Sequence, residues 1–504
     1  MKIKNMEFGN IDAKPEAQDD ERFFLDSFYA PENVDLNEIY AGKKFLITGA
    51  KGTGKTALLR FLNNKKPHND LSDFILFKTD IEEHKRLDFL TDLGINDINQ
   101  YEVDKIRQLD FEVNWKLFFF NRIANKINDN EFFINDKNWK NFKKTASKNK
   151  NEIKKLNFSN IHYNNKSNVN TGIISNSLDM SGEINFNNNV NIYSELETVE
   201  GLFKQLNIKE SLYDKKYYFF VDELELSRLN EKMYVRDSIL IRDLLMTVYK
   251  LNQISKEIFS SRLVFICAVR SEVISSLYSS GKEINKLTES YGYSLTWTQN
   301  GGEYFRNPLI KILIKKIKAS DIKLKYLSDR EIWNLYFEKS LFIFNQKINT
   351  ENYILRQTYM KPRDIVRLFN TIKNKYGDRN KFNIELFEGV RETYAQLTWN
   401  EVMEELTVKY NPVELEAIKS LITGINNSNL SDIEIKAEQK IKYNEELKKL
   451  IEKYSIHNIL KDLYRVGVVG NLNNKKVRFS FRGQSEVNFE SKFIIHESIR
   501  KILE

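Results

Sequence analysis

The sequence of 504 residues contains little of what stabilises secreted proteins. It has one cysteine, Cys267, so no disulfide can form within the chain, and this scarcity is typical of proteins from a reducing cytoplasm. The opening residues MKIKNMEFGN lack the apolar segment of a secretion signal, and no apolar run approaches the thickness of a bilayer. We therefore expect a cytoplasmic protein that makes no contact with a membrane.

Glycine, proline and histidine are also scarce, and the excess of positive charge is small. With 19 glycines and 6 prolines, the chain is expected to be rich in helices. The five histidines are not spaced as zinc ligands, and His496, in an apolar setting, is expected to be a core or capping residue. The net charge of +8 permits contact with nucleic acid without requiring it, because the basic residues are spread along the chain.

What the chain does contain is a phosphate-binding pattern. Residues 45–62, FLITGAKGTGKTALLRFL, are typical of a buried strand, a glycine-rich loop and a helix, and residues 49–56 fit G-x-x-x-x-G-K-[ST] at every fixed position. In such a loop the backbone N–H groups surround the phosphates, the lysine reaches the β- and γ-phosphates, and the hydroxyl residue binds Mg²⁺. The alternative is a glycine turn that joins a strand to a helix by chance. The residues expected to bind a nucleoside triphosphate are Gly49, Ala50, Lys51, Gly52, Thr53, Gly54, Lys55, Thr56 and Ala57.

A second pattern places two acidic residues at the end of an apolar run. Residues 215–225, KKYYFFVDELE, predict a buried strand that leads into Asp222 and Glu223. Adjacent carboxylates at the end of a buried strand are costly unless a metal and a reaction occupy the site. We expect Asp222 to hold the Mg²⁺ site and Glu223 to polarise the attacking water. The alternative is a strand that simply meets solvent at Asp222.

Further strands and helices predict the fold class. Strands are expected at 73–79, at 263–269 (LVFICAV) and at 293–297, separated by helical segments that include 101–128 and 226–253. This alternation predicts an α/β fold with a parallel P-loop sheet covered by helices on both faces, and a ligand at the carboxyl edge of the strands. Arg270 follows LVFICAV and is expected beside the γ-phosphate, with a surface arginine at a strand end as the alternative.

The rest of the chain suggests three domains. Residues 1–302 form the predicted ATPase core, with an Asn/Lys-rich insertion at 129–195 that is expected to contain a β-hairpin with flexible flanks. The basic run within it, 137–155, is interpreted as a solvated helix face, with contact to a phosphate backbone as the alternative. An all-α lid is predicted at 303–395 and a winged-helix-like α+β module at 396–504.

One lid residue and one hairpin carry functional predictions. Lys361, Pro362 and Arg363 begin a lid helix, and Arg363 is expected to reach the nucleotide from the side, unless it is an ordinary solvated arginine. In the last module, VRFSF is expected to pair with VGVVG, and KFIIHESIRKIL to form a closing helix. The wing between these strands is a candidate contact for a DNA backbone, through a tip at Asn473, Asn474, Lys475 and Lys476 together with Arg478 and Arg482.

The chain resembles bacterial P-loop ATPases allied to the STAND and ORC-type AAA+ groups. The matching segments, in chain order, are FGNIDA, FLITGAKGTGKTALL, YYFFVDELE, FICAVRSE, YMKPRDIVRLFN and the C-terminal winged-helix pattern. The resemblance implies ATP and Mg²⁺ as cofactors, and relatives of this kind act as ATP-driven switches or assembly platforms, several of them in defence against phage. It implies Lys55 and Thr56 as the Walker A pair, Asp222 and Glu223 as the Walker B pair, Arg270 at sensor 1 and Arg363 at sensor 2.

The chain departs from ring-forming AAA+ enzymes at one point. Those enzymes usually carry an arginine finger between the sensor-1 strand and the last strand. The corresponding residues 271–297 contain no arginine, although Lys282 and Lys286 are present. This departure favours a switch over a motor ring, with a finger from Arg236 or Arg242 as the alternative.

Three functions compete at this stage. The leading hypothesis is an ATP-binding and hydrolysing switch that couples nucleotide state to self-assembly or to a partner effector protein, with Glu223, Lys55 and Arg270 in catalysis. The second is a DNA-handling ATPase that holds duplex with the winged helix. The third is a structural ATP-binder without turnover.

Overall fold

The computed structural model describes residues 1–67, 70–147, 186–209, 215–227, 230–277, 282–298, 303–343, 346–407, 409–473, 476–482 and 486–504. Contacts between its residues divide it into two units. Unit 1 consists of Met1–Val34, Gly49–Asn64 and Leu295–Glu504, and unit 2 consists of Asp35–Thr48 and Lys65–Ser294. The boundaries at 302 and 395 stay predictions, and helix Ile384–Leu406 runs through the second of them.

Unit 2 is built around a five-stranded parallel sheet, which confirms the predicted α/β class. The sheet has the order β2-β3-β4-β1-β5, so β4 lies between the strand before the glycine loop and the strand before the acidic pair. All of its parallel strands end at one edge, where ligands of such sheets bind. The strands are β1 Leu46–Gly49, β2 Leu71–Leu76, β3 Tyr217–Leu224, β4 Leu263–Arg270 and β5 Gly292–Ser294.

Buried aromatic and aliphatic side chains explain why β3 and β4 lie at the centre of the sheet. Both strands are apolar nearly throughout, as expected for strands covered on both faces. The Asn252 side chain bonds to both the N–H and the carbonyl of Phe265, at 3.1 and 2.9 Å. The Phe265 ring packs edge-to-face with Phe119, with ring centroids 5.3 Å apart. Helices therefore hold this part of the sheet through specific contacts.

Unit 2 contains these helices: α3 Leu36–Tyr40, α5 Phe77–Asp80, α6 Glu83–Asp92, α7 Val103–Arg107, α8 Glu112–Lys126, α9 Lys137–Ala146, α10 Phe186–Lys204, α11 Glu231–Phe259, α12 Ser271–Leu277 and α13 Ile284–Tyr291. Helix α4 Lys55–Lys65 follows the glycine loop. The single long helix predicted at 101–128 is wrong, because residues 108–111 separate α7 from α8. The buried Asp243 carboxylate accepts the Phe111 N–H at 2.8 Å and so fixes the start of α8.

The predicted insertion is partly built into the core of unit 2. Residues 148–185, where most of the expected β-hairpin would lie, are outside the described residues. From residue 186 onward the insertion forms the start of helix α10 rather than a strand. Trp139 and Phe142 of α9 are fully buried, and Phe142 packs against Phe120 and Phe203. The lysines of α9 point outward or are half-buried. This supports the solvated helix face for the described part of the basic run.

Unit 1 contains the predominantly helical remainder. Its helices are α1 Ala13–Asp19, α2 Glu21–Ser27, α14 Pro308–Ala319, α15 Asp329–Tyr336, α16 Thr350–Arg356, α17 Pro362–Tyr376, α18 Ile384–Leu406, α19 Pro412–Ile422, α20 Leu430–Ile441, α21 Glu445–Tyr454, α22 Ile456–Arg465 and α23 Glu497–Arg500. The prediction that residues 303–395 are all-α is wrong, because this region contains a two-stranded hairpin, β6 Ser340–Ile343 and β7 Gln346–Asn349. Asp20 caps the start of α2 by accepting the Phe23 N–H at 2.9 Å.

In the described residues of the C-terminal module, five helices, α19 to α23, accompany a small antiparallel sheet. Its strands β8 Val469–Asn473, β9 Lys476–Arg478 and β10 Lys492–Ile495 lie in the order β10-β8-β9. The expected register was wrong: Asn471 pairs with Arg478, nearer to the turn. The closing segment was also misjudged, because KFII forms β10 and only Glu497–Arg500 is helical. Among the described residues, no helix has the length and apolar character needed to cross a membrane.

His496 is both a core and a capping residue, as predicted. Its ring accepts the Ser498 N–H at the start of α23, and it stacks on Tyr359 with centroids 4.1 Å apart. Burial, together with the charges of Arg482 and Arg500, lowers the pKa of His496 to about 3. The ring is therefore neutral and serves as an acceptor at neutral pH.

Candidate functional site

The glycine loop, residues 49–56, connects β1 to α4 through a tight turn. Gly52 and Gly54 adopt φ values of +84° and +89°, which residues with a Cβ atom rarely adopt. The Lys55 ammonium lies over the loop and donates to the carbonyls of Gly49 and Ala50 at 2.7 and 2.9 Å. Helix α4 begins at Lys55, so its first N–H groups and the positive end of its dipole lie at the loop.

Trp297 forms a hydrogen bond with the loop, and the sequence did not indicate that it belongs to the site. Its indole N–H donates to the Thr53 carbonyl at 2.9 Å, and the side chain is 5% exposed. The sequence carries no signal for this contact, since a tryptophan near a strand end is most often a core residue.

Trp297→Phe is expected to weaken nucleotide binding without unfolding the protein. The phenyl ring would fill most of the space of the indole, while the Thr53 carbonyl would lose the N–H that donates to it. A buried hydrogen bond of this kind contributes about 1 kcal/mol, which corresponds to a several-fold rise in Kd for Mg²⁺–ATP. Equilibrium titration of the two proteins measures the change. An unchanged Kd in a folded variant would mean that the bond does not position the loop.

Arg363 lies against the loop, and its contact with a nucleotide stays a prediction. A Cβ placed on Gly52 would lie 3.3 Å from the Arg363 Cβ and 3.5 Å from its Nε. The Nε is buried and has no hydrogen-bond partner among the described residues. A buried donor without an acceptor costs free energy, and a ligand that accepts its hydrogen bond would remove that cost. Arg363 is thus a well-placed candidate for contact with a bound anion.

The other end of Arg363 is held by an acidic residue of α18. Its Nη1 donates to Glu401 at 2.8 Å, and Arg367 donates to the other oxygen of the same carboxylate. Burial alone would raise the pKa of Glu401, but the charges of Arg367 and Arg363 lower it to about 2. Lys51, in the loop, pairs with Glu404 one turn further along α18. Neither glutamate is part of a recognisable motif, so sequence reasoning missed both.

In unit 2, Asp222 and Glu223 lie at an irregularity at the end of β3. The pairing of β3 with β4 runs from Val221 with Cys267 to Leu224 with Val269, so β3 carries one extra residue here. Glu223 adopts a φ of +62°, a left-handed conformation that is unusual for a non-glycine residue. Bulges and strained residues of this kind are frequent next to active sites, where they redirect a side chain.

Asp222 is deeply buried at this bulge. It is 4% exposed, and its Oδ1 accepts the N–H of Glu223 at 2.8 Å. Burial and the nearby Asp222 charge both raise the pKa of the Cys267 thiol. Cys267 therefore remains a protonated thiol, and its part in the site is confined to packing.

Arg270 ends β4, the neighbour of β3, and contacts the segment after the acidic pair. It donates to Glu225, whose other oxygen lies 2.5 Å from the Lys78 ammonium on α5. Glu225 therefore joins the ends of β2 and β4. Arg270 lies at the carboxyl edge of the sheet, its position beside a γ-phosphate stays a prediction, and its pairing with Glu225 was not expected.

The two arginines considered as fingers are buried structural residues, which corrects that alternative. Arg236 is fully buried and bonds to Glu83 and Asp237. Arg242 is 4% exposed and bonds to Asp243 and to the Leu109 carbonyl. Neither side chain is accessible to a second molecule in this structure.

Arg236→Ala is expected to lower the free energy of unfolding by about 3–5 kcal/mol, because it leaves the buried Asp237 without its main partner. The measurement is equilibrium unfolding in urea, with Lys232→Ala, on an earlier and more exposed turn of α11, as the control. A finger would behave differently: its removal would slow ATP turnover and leave stability unchanged.

Three carboxylates lie close enough together to bind a cation, but a lysine ammonium already pairs with all of them. Asp110, Glu112 and Asp243 can bring one oxygen each within 4.8 Å of one another. The Lys282 ammonium contacts all three, at 3.1, 2.5 and 2.8 Å. Burial would lower the pKa of Lys282, but the charge of Asp243 and the hydrogen bonds raise it. The ammonium therefore supplies the positive charge that a metal would bring.

Comparison with known proteins places a family match within unit 1. A family model described as the FunZ-associated C-terminal helical domain matches residues 307–403. The match spans α14 to α18 and includes Arg363 and Glu401. No curated protein and no solved structure matches the chain.

Proposed function

We propose that the chain is a P-loop ATPase that works as a switch. Lys55 and the N–H groups of the loop would bind the phosphates, and Thr56 and Asp222 would hold Mg²⁺. Glu223 would polarise the attacking water, and Arg270 would respond to the γ-phosphate. The strands that lead to these residues, β1, β3 and β4, belong to one parallel sheet and end at the same edge.

The observation that carries this proposal is the loop itself. Residues 49–56 combine two glycines at positive φ, a lysine held over the loop and a helix that begins at that lysine. Glycines at positive φ, an ammonium group over the loop and a helix N-terminus beside it together suit the binding of an anion. The bulge at Asp222 and Glu223 supports hydrolysis in addition to binding.

The lid contact supports a switch over a purely structural nucleotide site. Arg363 belongs to α17, which lies in the same unit as the loop and the C-terminal module. Its N–H lies 3.5 Å from the Gly52 carbonyl, so a change in the loop reaches the helix directly. Binding of a partner protein, or of a second copy of the chain, is the response that such a switch would control.

Steady-state release of phosphate from Mg²⁺–ATP by the full chain tests the proposal. We expect turnover that requires Mg²⁺ and that ADP inhibits, because ADP would occupy the same loop. Binding of ATP without turnover would leave the structural ATP-binder as the function. Absence of both binding and turnover would overturn the proposal.

Exposed basic side chains keep a DNA-handling ATPase as a second candidate. Lys476 and Arg478 of β9 are exposed on the antiparallel hairpin of the C-terminal module, and Asn474 and Lys475 at the predicted wing tip lie outside the described residues. If the hairpin binds a duplex backbone, neutral variants of Lys476 and Arg478 should weaken binding to all sequences alike and reduce its dependence on salt. Fluorescence anisotropy at several salt concentrations measures both. Unchanged affinity for DNA would show that the hairpin does not bind the duplex backbone.

A further inference from the structure

We propose that the end of α18 is an acidic latch on the phosphate loop, in which Glu401 and Glu404 hold basic groups that a bound triphosphate recruits. The latch is defined by two contacts, Glu401 with Arg363 and Glu404 with Lys51. Nucleotide binding and attachment of α18 to the loop would then exclude one another. The inference rests on the proposed function and specifies how its nucleotide site is regulated.

The position of the two contacts supports competition. Lys51 lies within the loop, and the Arg363 side chain lies against Gly52, which is also in the loop. The carboxylates of α18 thus pair with two cations beside the N-terminus of α4, where an anion is favoured. A triphosphate would compete with them for the same positive charges.

The two glutamates differ in burial, which separates their contributions. The Glu401 side chain is 13% exposed and joins two arginines, whereas the Glu404 side chain is 60% exposed and holds one lysine. An exposed pair contributes little, and a buried pair considerably more. Glu401 is therefore the main contact of the latch, and Glu404 is the contact that can be removed without risk to folding.

The latch has a structural route to the C-terminal module. Helix α18 leads to α19 through a short connection that includes Tyr410, whose hydroxyl bonds to Asp462 of α22 at 2.8 Å. Near Arg363, the buried Asp364 carboxylate accepts the Tyr359 N–H at 2.8 Å, and Tyr359 stacks on His496. A movement of α18 away from the loop would therefore be transmitted to the C-terminal module through these packed side chains and hydrogen bonds.

The Kd of the full chain for AMP-PNP, a non-hydrolysable ATP analogue, measured in the presence of Mg²⁺, tests the latch. Glu404→Gln should bind about threefold more tightly than the wild type, as expected for loss of an exposed ion pair. The double variant with Glu401→Gln should gain about tenfold, within the usual range of coupling between sites. Glu392→Gln, at an exposed position earlier on the same helix, is the matched control and should bind as the wild type does. Thermal unfolding establishes that each variant is folded.

Hydrogen exchange of residues 396–407 in the wild type provides a readout that does not depend on a mutation. By reciprocity, bound AMP-PNP should accelerate exchange in this segment if it displaces the glutamates. Slower exchange, or an unchanged Kd in folded Glu404→Gln and in the double variant, would overturn the latch while the proposed function stands. If the wild type does not bind the analogue at all, the proposed function fails and the latch fails with it.

Discussion

Lys55→Ala is expected to weaken binding of Mg²⁺–ATP by about a hundredfold or more, the equivalent of losing a strong charge-assisted contact to phosphate. The ammonium already lies over the loop, 2.7 Å from the Gly49 carbonyl and 2.9 Å from the Ala50 carbonyl. In the complex it would exchange these neutral acceptors for phosphate oxygens. Isothermal titration of the full chain measures the loss.

The control for this prediction is Lys65→Ala. Lys65 is exposed in the last turn of the same helix, so it shares the helical setting and the charge of Lys55 but lies away from the loop. Its removal should leave the Kd for Mg²⁺–ATP unchanged. Equal losses in both variants would indicate a general electrostatic effect and would contradict a specific phosphate site at Lys55.

Glu223→Gln is expected to separate binding from turnover. The amide cannot accept a proton from water, so the rate of hydrolysis should fall by about 10²- to 10⁴-fold, the usual contribution of a general base. The Kd for ATP should stay within a few-fold of the wild-type value, because the amide retains the size of the carboxylate. Single-turnover phosphate release and equilibrium titration on the same preparation give the two quantities.

Glu272→Gln is the matched control for this second effect. Glu272 is exposed in the first turn of α12, shortly after Arg270, so it lies near the end of β4 without belonging to the acidic pair. Its variant should hydrolyse ATP at the wild-type rate. If Glu223→Gln does so as well, Glu223 is not the base, and the bulge that places it has another cause.

The phosphate loop and the sheet were predictable because their signals are local. Each glycine of residues 49–56 stands where the backbone must turn, and apolar runs such as LVFICAV are long enough to indicate buried strands. The same holds for His496, whose apolar surroundings pointed to a core residue. For these features, the residues that decide the structure are neighbours in the sequence.

The missed features depend on contacts between distant residues. Glu401 meets Arg363 across 38 positions, and Trp297 meets Thr53 across 244, so no spacing rule could indicate either pair. The segment KFII reads as part of a helix until β8 is available to pair with it. The Asn/Lys composition of the insertion concealed Trp139, which is fully buried and stacks on Phe133 and Phe142. Tertiary packing overrides local preference in each case.

The most direct test of the ATPase proposal is electron paramagnetic resonance of Mn²⁺–AMP-PNP bound to the full chain, with Mn²⁺ in place of Mg²⁺. We predict coupling of the bound Mn²⁺ to ³¹P nuclei, and a changed Mn²⁺ environment in both Thr56→Ala and Asp222→Asn. That result would mean that residues far apart in the sequence act on one metal–triphosphate. Bound Mn²⁺ whose spectrum is the same in the wild type and in both variants would contradict the account.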